Sequence, residues 1–516
     1  MRTTPCAPST VGALAMLDPD TVTPLYRQLY DALRAAILDG RLRGGTRVPA
    51  TRALAEDLGI SRNTASLAYD KLHAEGYLER RVRGGTYVAR ILPDSLLQPR
   101  RVAPMPAAPT IPRAQPTART LSARGAALAG LALPASVNTR VAPRPFRPGV
   151  PALDEFPVAL WSRLSARHWR RLRGDELAYG HSAGHQPLRE AIATHLAVAR
   201  GVRCTSDQVI VVGGSQQALD LATRLLLDPG DAVWLEDPGY VGARAAFAAA
   251  GARIVPVPVD DEGLAVAAGE RLAPEARMVF VSPSHQHPLG MSMSVTRRLA
   301  LLDWARRADA WVLEDDYDSE IRYRGRPQPA MQGIDADGRV IYIGTFSKTL
   351  FPALRLGYVV VPPRLVDAFV TARLVSDRHS SVVEQAVLAD FITEGHYARH
   401  LRRMRALYAE RQDALVAAAR ELLGDILDVR PTDSGMNVIA WLPAGVDDRA
   451  VYRAALDAGV EAPPLSPFAQ APLERGALFL NFSGYEPGAL RGAMVKLASV
   501  VRRAVRELRP ELAAAG

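Results

Sequence analysis

The 516-residue sequence predicts two folded parts, a small helical unit near the N terminus and a larger α/β unit. In the first 40 residues, apolar side chains recur at steps of four, which indicates an amphipathic helix. Later segments instead show buried strands that run into glycine turns, polar clusters and helices. A chain of this length exceeds what one hydrophobic core usually supports, so two units are expected.

The first predicted helix spans residues 24–39. Four residues form its apolar face: Leu25, Leu29, Leu33 and Ile37. Gly40 follows and is expected to end the helix.

Two short amphipathic helices are predicted within residues 51–69. Gly59 breaks the first, and Ser61 caps the second. This spacing is typical of a helix-turn-helix. The exposed start of the second helix carries side chains that can contact phosphates and base edges in a major groove, namely Arg62, Asn63 and Thr64.

A hairpin is predicted next, because residues 77–82 and 86–89 are joined by a glycine-containing turn. Its basic residues would lie near a DNA backbone. The predicted DNA contacts of this region are Arg81, Arg83 and Gly85, together with Ser61 at the helix cap. Arg47 and Arg52 are predicted phosphate contacts, with a solvated surface as their alternative. A helical appendage that serves dimerisation is the structural alternative for the whole segment.

Charge is unevenly distributed along the chain. Residues 1–150 carry 21 basic and 10 acidic side chains, whereas the formal charge of the whole chain is only +9. A basic first part with a nearly neutral remainder indicates a polyanion partner, and nucleic acid fits. Residues 91–145, rich in proline, alanine and arginine, are predicted to be a semi-extended linker.

Lys348 stands out because only three of the 63 basic residues are lysine. An amine condenses with an aldehyde, whereas a guanidinium that stays protonated does not. The preceding residues, 339–347, indicate a buried strand that runs into a turn of small residues. Lys348 is therefore the predicted catalytic residue, a Schiff-base lysine. An ordinary surface lysine after a strand is the alternative.

Five acidic residues lie within positions 314–320, at the end of an apolar strand. A carboxylate at the end of a parallel strand can keep the pyridine nitrogen of pyridoxal phosphate protonated, and Asp315 is the candidate. Tyr317 would lie on the same side of an extended chain and reach the ring hydroxyl. A solvated acidic loop is the alternative.

A strand, a glycine turn and a helix opened by Ser215 follow one another in residues 208–220. A helix start offers free N–H groups and a positive dipole end to a phosphate. The predicted anchors are Gly213, Gly214, Ser215 and Gln216. Arg355 and Ser347 would add a guanidinium and a hydroxyl to the same anion. Tyr240, which follows another strand, is predicted to stack on the pyridine ring.

Together these segments resemble a known family. The strings Gly-Thr-Phe-Ser-Lys-Thr-Leu-Phe-Pro-Ala-Leu-Arg-Leu-Gly-Tyr, Glu-Asp-Asp-Tyr-Asp-Ser-Glu and Ser-Pro-Ser-His-Gln-His-Pro-Leu-Gly resemble the fold-type-I aminotransferases. More narrowly, they are similar to the aminotransferase-like part of the MocR subfamily of GntR transcriptional regulators. Pro-Leu-Tyr, Leu-Gly-Ile-Ser-Arg-Asn-Thr and Ala-Glu-Gly-Tyr-Leu resemble the winged helix-turn-helix of GntR regulators. The resemblance extends from about Pro24 to Arg502.

The resemblance implies an α/β effector domain with a mostly parallel sheet, helices on both faces and a smaller C-terminal α+β subdomain. It also implies pyridoxal 5'-phosphate as cofactor, with Schiff-base attachment at Lys348, pyridinium pairing by Asp315 and stacking by Tyr240. The expected organisation is a tail (1–19), a winged helix-turn-helix domain (20–90), the linker and an effector domain (146–516). The resemblance further suggests a head-to-tail homodimer in which each DNA-binding domain packs against the other subunit's large domain.

One position departs from the transaminase pattern. Phe479 stands about where transaminases of this fold carry the arginine that grips the substrate carboxylate, and a neutral ring cannot supply a bidentate, charge-assisted contact. Arg322, Arg324 and Arg378 are the candidates to supply such a clamp from elsewhere in the chain.

The sequence predicts a regulator that binds an operator in double-stranded DNA and senses a small molecule linked to the cofactor. Full transamination is not expected. A working aminotransferase with an accessory N-terminal domain is the alternative, and a dimerisation scaffold without cofactor is a third. Two cysteines give no disulfide framework, no metal-ligand spacing occurs, and no membrane span or export signal is predicted, so we expect a cytoplasmic protein.

Overall fold

The structure is a computed structural model that describes residues 16–81, 85–90, 121–130, 144–174, 177–325 and 328–508. The chain divides near residue 115 into two compact units.

The N-terminal unit contains three helices and a three-stranded antiparallel sheet. In chain order its elements are α1 (Leu25–Leu38), β1 (Arg47–Val48), α2 (Thr51–Leu58), α3 (Arg62–Ala74), β2 (Leu78–Arg81) and β3 (Gly85–Val88). The strand order is β1-β3-β2, with Arg81 opposite Gly85. This arrangement confirms the predicted winged helix-turn-helix. Arg83, predicted at the hairpin turn, lies outside the described residues.

Local signals account for the helix ends. Gly59 adopts φ +64° at the end of α2, a conformation that glycine reaches without a steric penalty. The Ser61 hydroxyl accepts a hydrogen bond of 3.1 Å from the backbone N–H of Thr64 and so caps α3. On α1, Leu29, Leu33 and Ile37 are buried, as the four-residue spacing predicted.

A short helix, α4 (Ala123–Ala129), lies inside the segment predicted to be a semi-extended linker. Ser122 caps this helix by accepting a hydrogen bond of 3.0 Å from the backbone N–H of Gly125. Residues 123–129 are alanine-rich and contain no proline, and these features allow a helical turn within an otherwise proline-rich stretch. The helix packs against α8 (Val241–Ala250) of the larger unit.

The larger unit is built on an eight-stranded sheet with helices on both sides. Its strands are β4 (Val209–Val212), β5 (Ala232–Asp237), β6 (Arg253–Asp260), β7 (Gly263–Leu264), β8 (Met278–Val281), β9 (Trp311–Asp316), β10 (Val340–Thr345) and β11 (Gly357–Val360). The accompanying helices are α5 (Val158–Arg171), α6 (Gln186–Arg200), α7 (Ser215–Leu226), α8, α9 (Val266–Leu272), α10 (Val295–Arg307), α11 (Met331–Ile334), α12 (Val366–Asp377) and α13 (Val382–Thr393).

The strand order is β4-β11-β10-β9-β8-β5-β6-β7. The five strands from β10 to β6 pair in parallel, whereas β11 and β7 run antiparallel to their neighbours. Alternate residues of β4 enter two different hydrophobic clusters: Val209 and Val211 join one, and Ile210 and Val212 join the other. Both faces of the sheet are therefore buried, as a continuous β-branched run indicates.

A smaller α+β subdomain completes the unit. It contains α14 (His396–Leu423), β12 (Asp428–Val429), β13 (Asn437–Trp441), α15 (Asp448–Asp457), β14 (Ala477–Asn481) and α16 (Pro487–Leu508). Its three strands form an antiparallel sheet packed on the helices in a separate core. Within the described ranges, no helix has both the length and the apolar content needed to cross a bilayer.

Replacing Ser61 with alanine should loosen the start of α3, because the N-terminal N–H groups lose their side-chain acceptor. A loss of about 1 kcal/mol is expected from such caps. Hydrogen exchange followed by mass spectrometry should show faster exchange in the peptide that covers residues 62–66. Ser66→Ala on the same helix is the matched control, and equal exchange in both variants would contradict the capping role.

Candidate functional site

A cavity of about 710 Å³ lies at the carboxyl edge of the parallel strands in the larger unit. Ligands in open α/β sheets bind at this edge, because several strands end there and their following loops converge. The lining residues include nearly every candidate for a cofactor contact: Gly214, Ser215, Gln216, Tyr240, Asp315, Tyr317, Ser347, Lys348 and Arg355. Gly213, the remaining candidate, belongs to the same turn before α7.

Lys348 follows β10 and extends its amine into this cavity. Burial lowers the pKa of the amine, while the neighbouring Asp318 and Asp315 act in the opposite direction. A lower pKa increases the neutral fraction, which is the nucleophilic form. The structure therefore places Lys348 in a cavity. The alternative interpretation, an ordinary surface lysine after a strand, would have required an exposed position.

The backbone at Gly149 lies against the amine of Lys348. A Cβ atom added to Gly149 would lie 2.7 Å from Nζ, and the residue has φ +76°. Only a residue without a side chain fits there without displacement. Arg147, Pro148 and Gly149 all line the cavity, although no motif in the sequence pointed to these three residues, which follow the predicted linker.

The acidic cluster at the end of β9 is not a solvated loop. All five carboxylates have protein partners, and four of them are held as follows: Glu314 accepts from the N–H groups of Met331 and Gln332, Asp316 pairs with Arg200, Asp318 with His285, and Glu320 with His195. Asp315 differs, because it lines the cavity and receives a hydrogen bond of 3.3 Å from the Ser215 hydroxyl. Burial, reinforced by Asp316, raises the pKa of Asp315 to about 7.

A raised carboxyl pKa means that a buried anion at Asp315 lacks sufficient positive charge around it. A protonated ring nitrogen in the cavity would supply that charge. Asp315 thus fits the role that the sequence assigned to it. The Ser215 hydroxyl donates to Asp315, its backbone N–H lies at the helix start, and its contact with a phosphate stays a prediction.

Positive groups for an anion gather at the start of α7. Gly214 precedes the helix with φ +122°, and a Cβ on it would lie 3.3 Å from a guanidinium nitrogen of Arg355. Ser347 lines the same cavity, and its N–H donates to the Thr345 hydroxyl at 3.2 Å. Gln216 also lines the cavity, but its side-chain amide donates to the Gly242 carbonyl at 3.0 Å. Helix N–H groups, a glycine and a guanidinium together make a phosphate cradle.

Aromatic side chains form another part of the cavity. Tyr240 lines it, and burial raises the pKa of its phenol to about 12, so the phenol stays protonated. Tyr317 also lines it, with its hydroxyl 3.1 Å from Nδ1 of His285. His287, which the sequence argument did not select, lies between them, with ring centroids 5.6 Å from Tyr240 and 5.7 Å from Tyr317. In the sequence, the only indication of a role for His287 was its position in the family-like string Ser-Pro-Ser-His-Gln-His-Pro-Leu-Gly.

The proposed substitutes for a carboxylate clamp were wrong, since none of the three is among the lining residues. Arg322 hydrogen-bonds the Arg324 carbonyl and the Ser292 hydroxyl, Arg324 pairs with Asp413, and Arg378 stacks on Tyr179. The three side chains are held elsewhere by local partners that sequence spacing does not reveal. The arginines that do line the cavity, besides Arg355, are Arg147, Arg449 and Arg453.

In the N-terminal unit, the predicted DNA contacts occupy exposed positions around α3 and the hairpin. Arg62 and Asn63 are exposed at the first turn of α3, and Thr64 is half-buried behind them. Arg47 lies next to the hairpin, where a Cβ on Gly85 would come 3.1 Å from its Nε. The two remaining arginines have local acidic partners: Arg52 pairs with Glu56 at 3.2 Å, and Arg81 pairs with Glu79 at 2.5 Å. Exposed ion pairs of this kind are weak, so phosphates can displace them.

Two protein-family models match the chain. The model described as bacterial regulatory proteins, gntR family, matches residues 25–88, and the one described as aminotransferase class I and II matches residues 157–484.

Similar proteins combine the same two parts or share the larger one. The probable rhizopine catabolism regulatory protein MocR of Rhizobium meliloti is 46% identical over 489 residues, which cover 94% of this chain and 95% of that protein. The uncharacterized HTH-type transcriptional regulator YhdI of Bacillus subtilis (strain 168) is 32% identical over 492 residues, covering 93% and 96%. Among solved structures, the Pyrococcus horikoshii kynurenine aminotransferase in complex with PMP is 30% identical, with a TM-score of 0.65, covering 69% of this chain and 90% of that one.

The lowered pKa of Lys348 predicts the pH at which its amine becomes reactive. In competitive acetylation, Lys348 should reach half-maximal labelling at a lower pH than a free lysine amine added as internal standard. Asp315→Asn should move this midpoint further down, because the variant loses an anion that stabilises the ammonium form. Peptide mass spectrometry resolves the site easily, since the chain has three lysines. A midpoint equal to or above that of the standard would contradict the burial argument.

Proposed function

This chain belongs to the MocR group of gntR-family regulators, in which a helix-turn-helix domain precedes an aminotransferase-like domain, and from that premise we propose that it controls transcription through pyridoxal 5'-phosphate held at Lys348. The observation that carries the proposal is the convergence of an amine, an anion cradle and a buried carboxylate on one cavity. Each group matches a different part of the cofactor, and the cavity volume is ordinary for a small-molecule site.

Each residue receives a role from its chemistry. The Lys348 amine would hold the cofactor covalently by condensing with its aldehyde, with loss of water. Arg355 and the N–H groups at the start of α7 bind the phosphate. Asp315 holds the proton on the ring nitrogen, and Tyr240 stacks on the ring. The cofactor itself supplies an electron-withdrawing ring and a carbon that can exchange one amine for another.

The N-terminal unit binds DNA, as gntR-family regulators do. We assign base contacts to Arg62, Asn63 and Thr64, since the start of a recognition helix enters the major groove. We assign phosphate contacts to Arg47, Arg52, Ser61, Arg81, Arg83 and Gly85. A protein that acts on the chromosome of a bacterium works in the cytoplasm.

A homodimer follows from an exposed apolar surface on the larger unit. Leu177, Tyr179 and Val375 are 70%, 77% and 72% exposed. They belong to one neighbourhood, because Arg378, which follows α12, stacks on the Tyr179 ring at 4.4 Å and His379 accepts from the Gly180 N–H at 3.0 Å. Large apolar side chains grouped on a surface mark an interaction site. A second copy of the chain, arranged head to tail, would cover this surface and pair two DNA readers.

Residues 146–150, which directly follow the linker in sequence, could connect events in the cavity with the chain that leads to the DNA-binding unit. Phe146 is fully buried in the subdomain core and pairs with Asn481, while the Val150 carbonyl accepts a hydrogen bond of 2.7 Å from Ser483. Between these anchors, Gly149 lies against Lys348. A ligand amine that replaced Lys348 on the cofactor would change the position of Nζ. The contact between Nζ and Gly149 would then change as well. Such a change regulates DNA binding if it favours one dimer arrangement over another.

Replacing Lys348 with alanine should abolish covalent attachment of the cofactor. After incubation with pyridoxal phosphate, borohydride reduction and digestion, wild-type protein should yield one modified peptide, at Lys348, and the variant none. Lys496→Ala is the matched control, because Lys496 is the other lysine of the larger unit and lies on its exposed surface. Modification at Lys496, or an unchanged visible spectrum in Lys348→Ala, would contradict covalent attachment of the cofactor at Lys348.

Arg62→Ala and Asn63→Ala should each weaken binding to the regulator's own upstream DNA by about tenfold or more, because base contacts contribute roughly 1–3 kcal/mol each. Gel-shift titration at fixed salt measures the effect. Arg27→Ala supplies the control, since Arg27 is an exposed α1 residue that pairs with Asp31 and is not a predicted DNA contact. Equal losses in all three variants would indicate a general charge effect rather than recognition by α3.

A further inference from the structure

Three side chains form a neutral wall in the cavity, and we call this set the aromatic wall: His287, Phe468 and Phe479. The two phenyl rings stack with centroids 5.5 Å apart, and His287 lies 5.4 Å from Phe468 and 5.6 Å from Phe479. Phe479 is only 1% exposed and is held within β14. The wall is therefore a fixed surface rather than a set of mobile side chains.

The aromatic wall carries no charge at neutral pH. Burial lowers the pKa of His287 to about 3, and the nearby Lys348 adds to this effect. The histidine is thus a neutral ring, like its two neighbours. A carboxylate placed against this surface would lose water without gaining a charged partner, which is strongly unfavourable.

The charges around the reacting amine also disfavour an anion. The charged groups that act on Lys348 are Asp318, Asp315 and Arg355. Arg355 is assigned to the cofactor phosphate and Asp315 to the ring nitrogen, so the remaining charged group is Asp318, which pairs with His285. An ammonium group is attracted to such surroundings, whereas a carboxylate on the adjacent carbon is repelled.

The other arginines that line the cavity are engaged or peripheral. Arg147 pairs with Glu461 at 3.6 Å, and both side chains are largely buried. Arg449 donates to the Ser466 hydroxyl at 2.9 Å, and the Arg453 side chain is 70% exposed. None of the three is among the groups that shift the pKa of Lys348.

From these contacts, and resting on cofactor attachment at Lys348, we propose that the effector is a primary amine whose amine-bearing carbon carries no carboxylate. The effector nitrogen would form a C=N bond with the cofactor carbon, and both bonds of the C=N link from that carbon to the Lys348 nitrogen would break. The two hydrogens lost by the effector amine would pass to Lys348, which is released as a free amine. The exchange involves no oxidation or reduction. Phe479 is the specificity-determining residue, because it is the most deeply buried member of the aromatic wall and is held within β14.

Matched ligands test the proposal directly. The pairs 2-phenylethylamine and L-phenylalanine, and 3-methylbutylamine and L-leucine, differ only in the carboxylate. Titration of full-length protein loaded with pyridoxal phosphate, followed by its visible spectrum after removal of free cofactor, should give half-saturation at least about tenfold lower for each amine. Equal or tighter binding of the amino acids overturns the proposal.

Phe479→Arg should reverse the preference, because it places a guanidinium in the wall and offers a carboxylate a charge-assisted partner. Phe479→Leu is the control and should keep the wild-type preference for amines. If Phe479→Arg does not fold, Phe468→Arg on the half-buried neighbouring ring serves the same purpose. An arginine variant that folds and still rejects amino acids contradicts the role of the wall.

The same experiment separates this proposal from the function on which it rests. Protein without cofactor attachment would lack the visible band and the borohydride-trapped Lys348 peptide before any amine is added. Protein with both, but with a preference for amino acids, would retain the regulator and lose only the assignment of its effector.

Discussion

The parallel pairing of β9 and β10 is the constraint on which the candidate site depends. In this register Asp315 lies opposite Ile343, so the acidic end of one strand and the turn carrying Lys348 reach the same edge of the sheet. Gly344 is required within β10, because a Cβ there would collide with the Tyr358 ring of β11. Cofactor contacts separated by more than a hundred residues in sequence therefore converge through strand register alone.

Burial and neighbouring charges give the adjacent carboxylates of β9 different pKa values. Asp316 is fully enclosed, which would raise its pKa, but the guanidinium of Arg200 at 2.8 Å more than offsets this and keeps the pKa low. Asp315, one residue earlier, points to the other face of the strand and has no guanidinium. Of these two adjacent carboxylates, Asp316 is paired with a guanidinium, whereas Asp315 lines the cavity. Alternation along the strand separates the two roles.

The first residues of the predicted effector domain contribute to the cavity. They are anchored in the subdomain by Phe146 and by the Val150 carbonyl, and the span between these anchors passes the amine of Lys348 at Gly149. A segment that belongs to neither strand of the β9–β10 pair therefore completes the surroundings of Lys348.

The sequence by itself determined the helix-turn-helix and singled out Lys348 and Asp315, which the structure places in one cavity, because each depends on residues close together in the chain. It also located Phe479, where a charged residue was missing. Only the tertiary structure decided that His287 and Phe468 join that residue in one neutral surface, that Gly149 touches Lys348, and that Arg322, Arg324 and Arg378 are held away from the cavity. These contacts join segments far apart in sequence, and long-range packing leaves no periodic or local signal from which they could be derived.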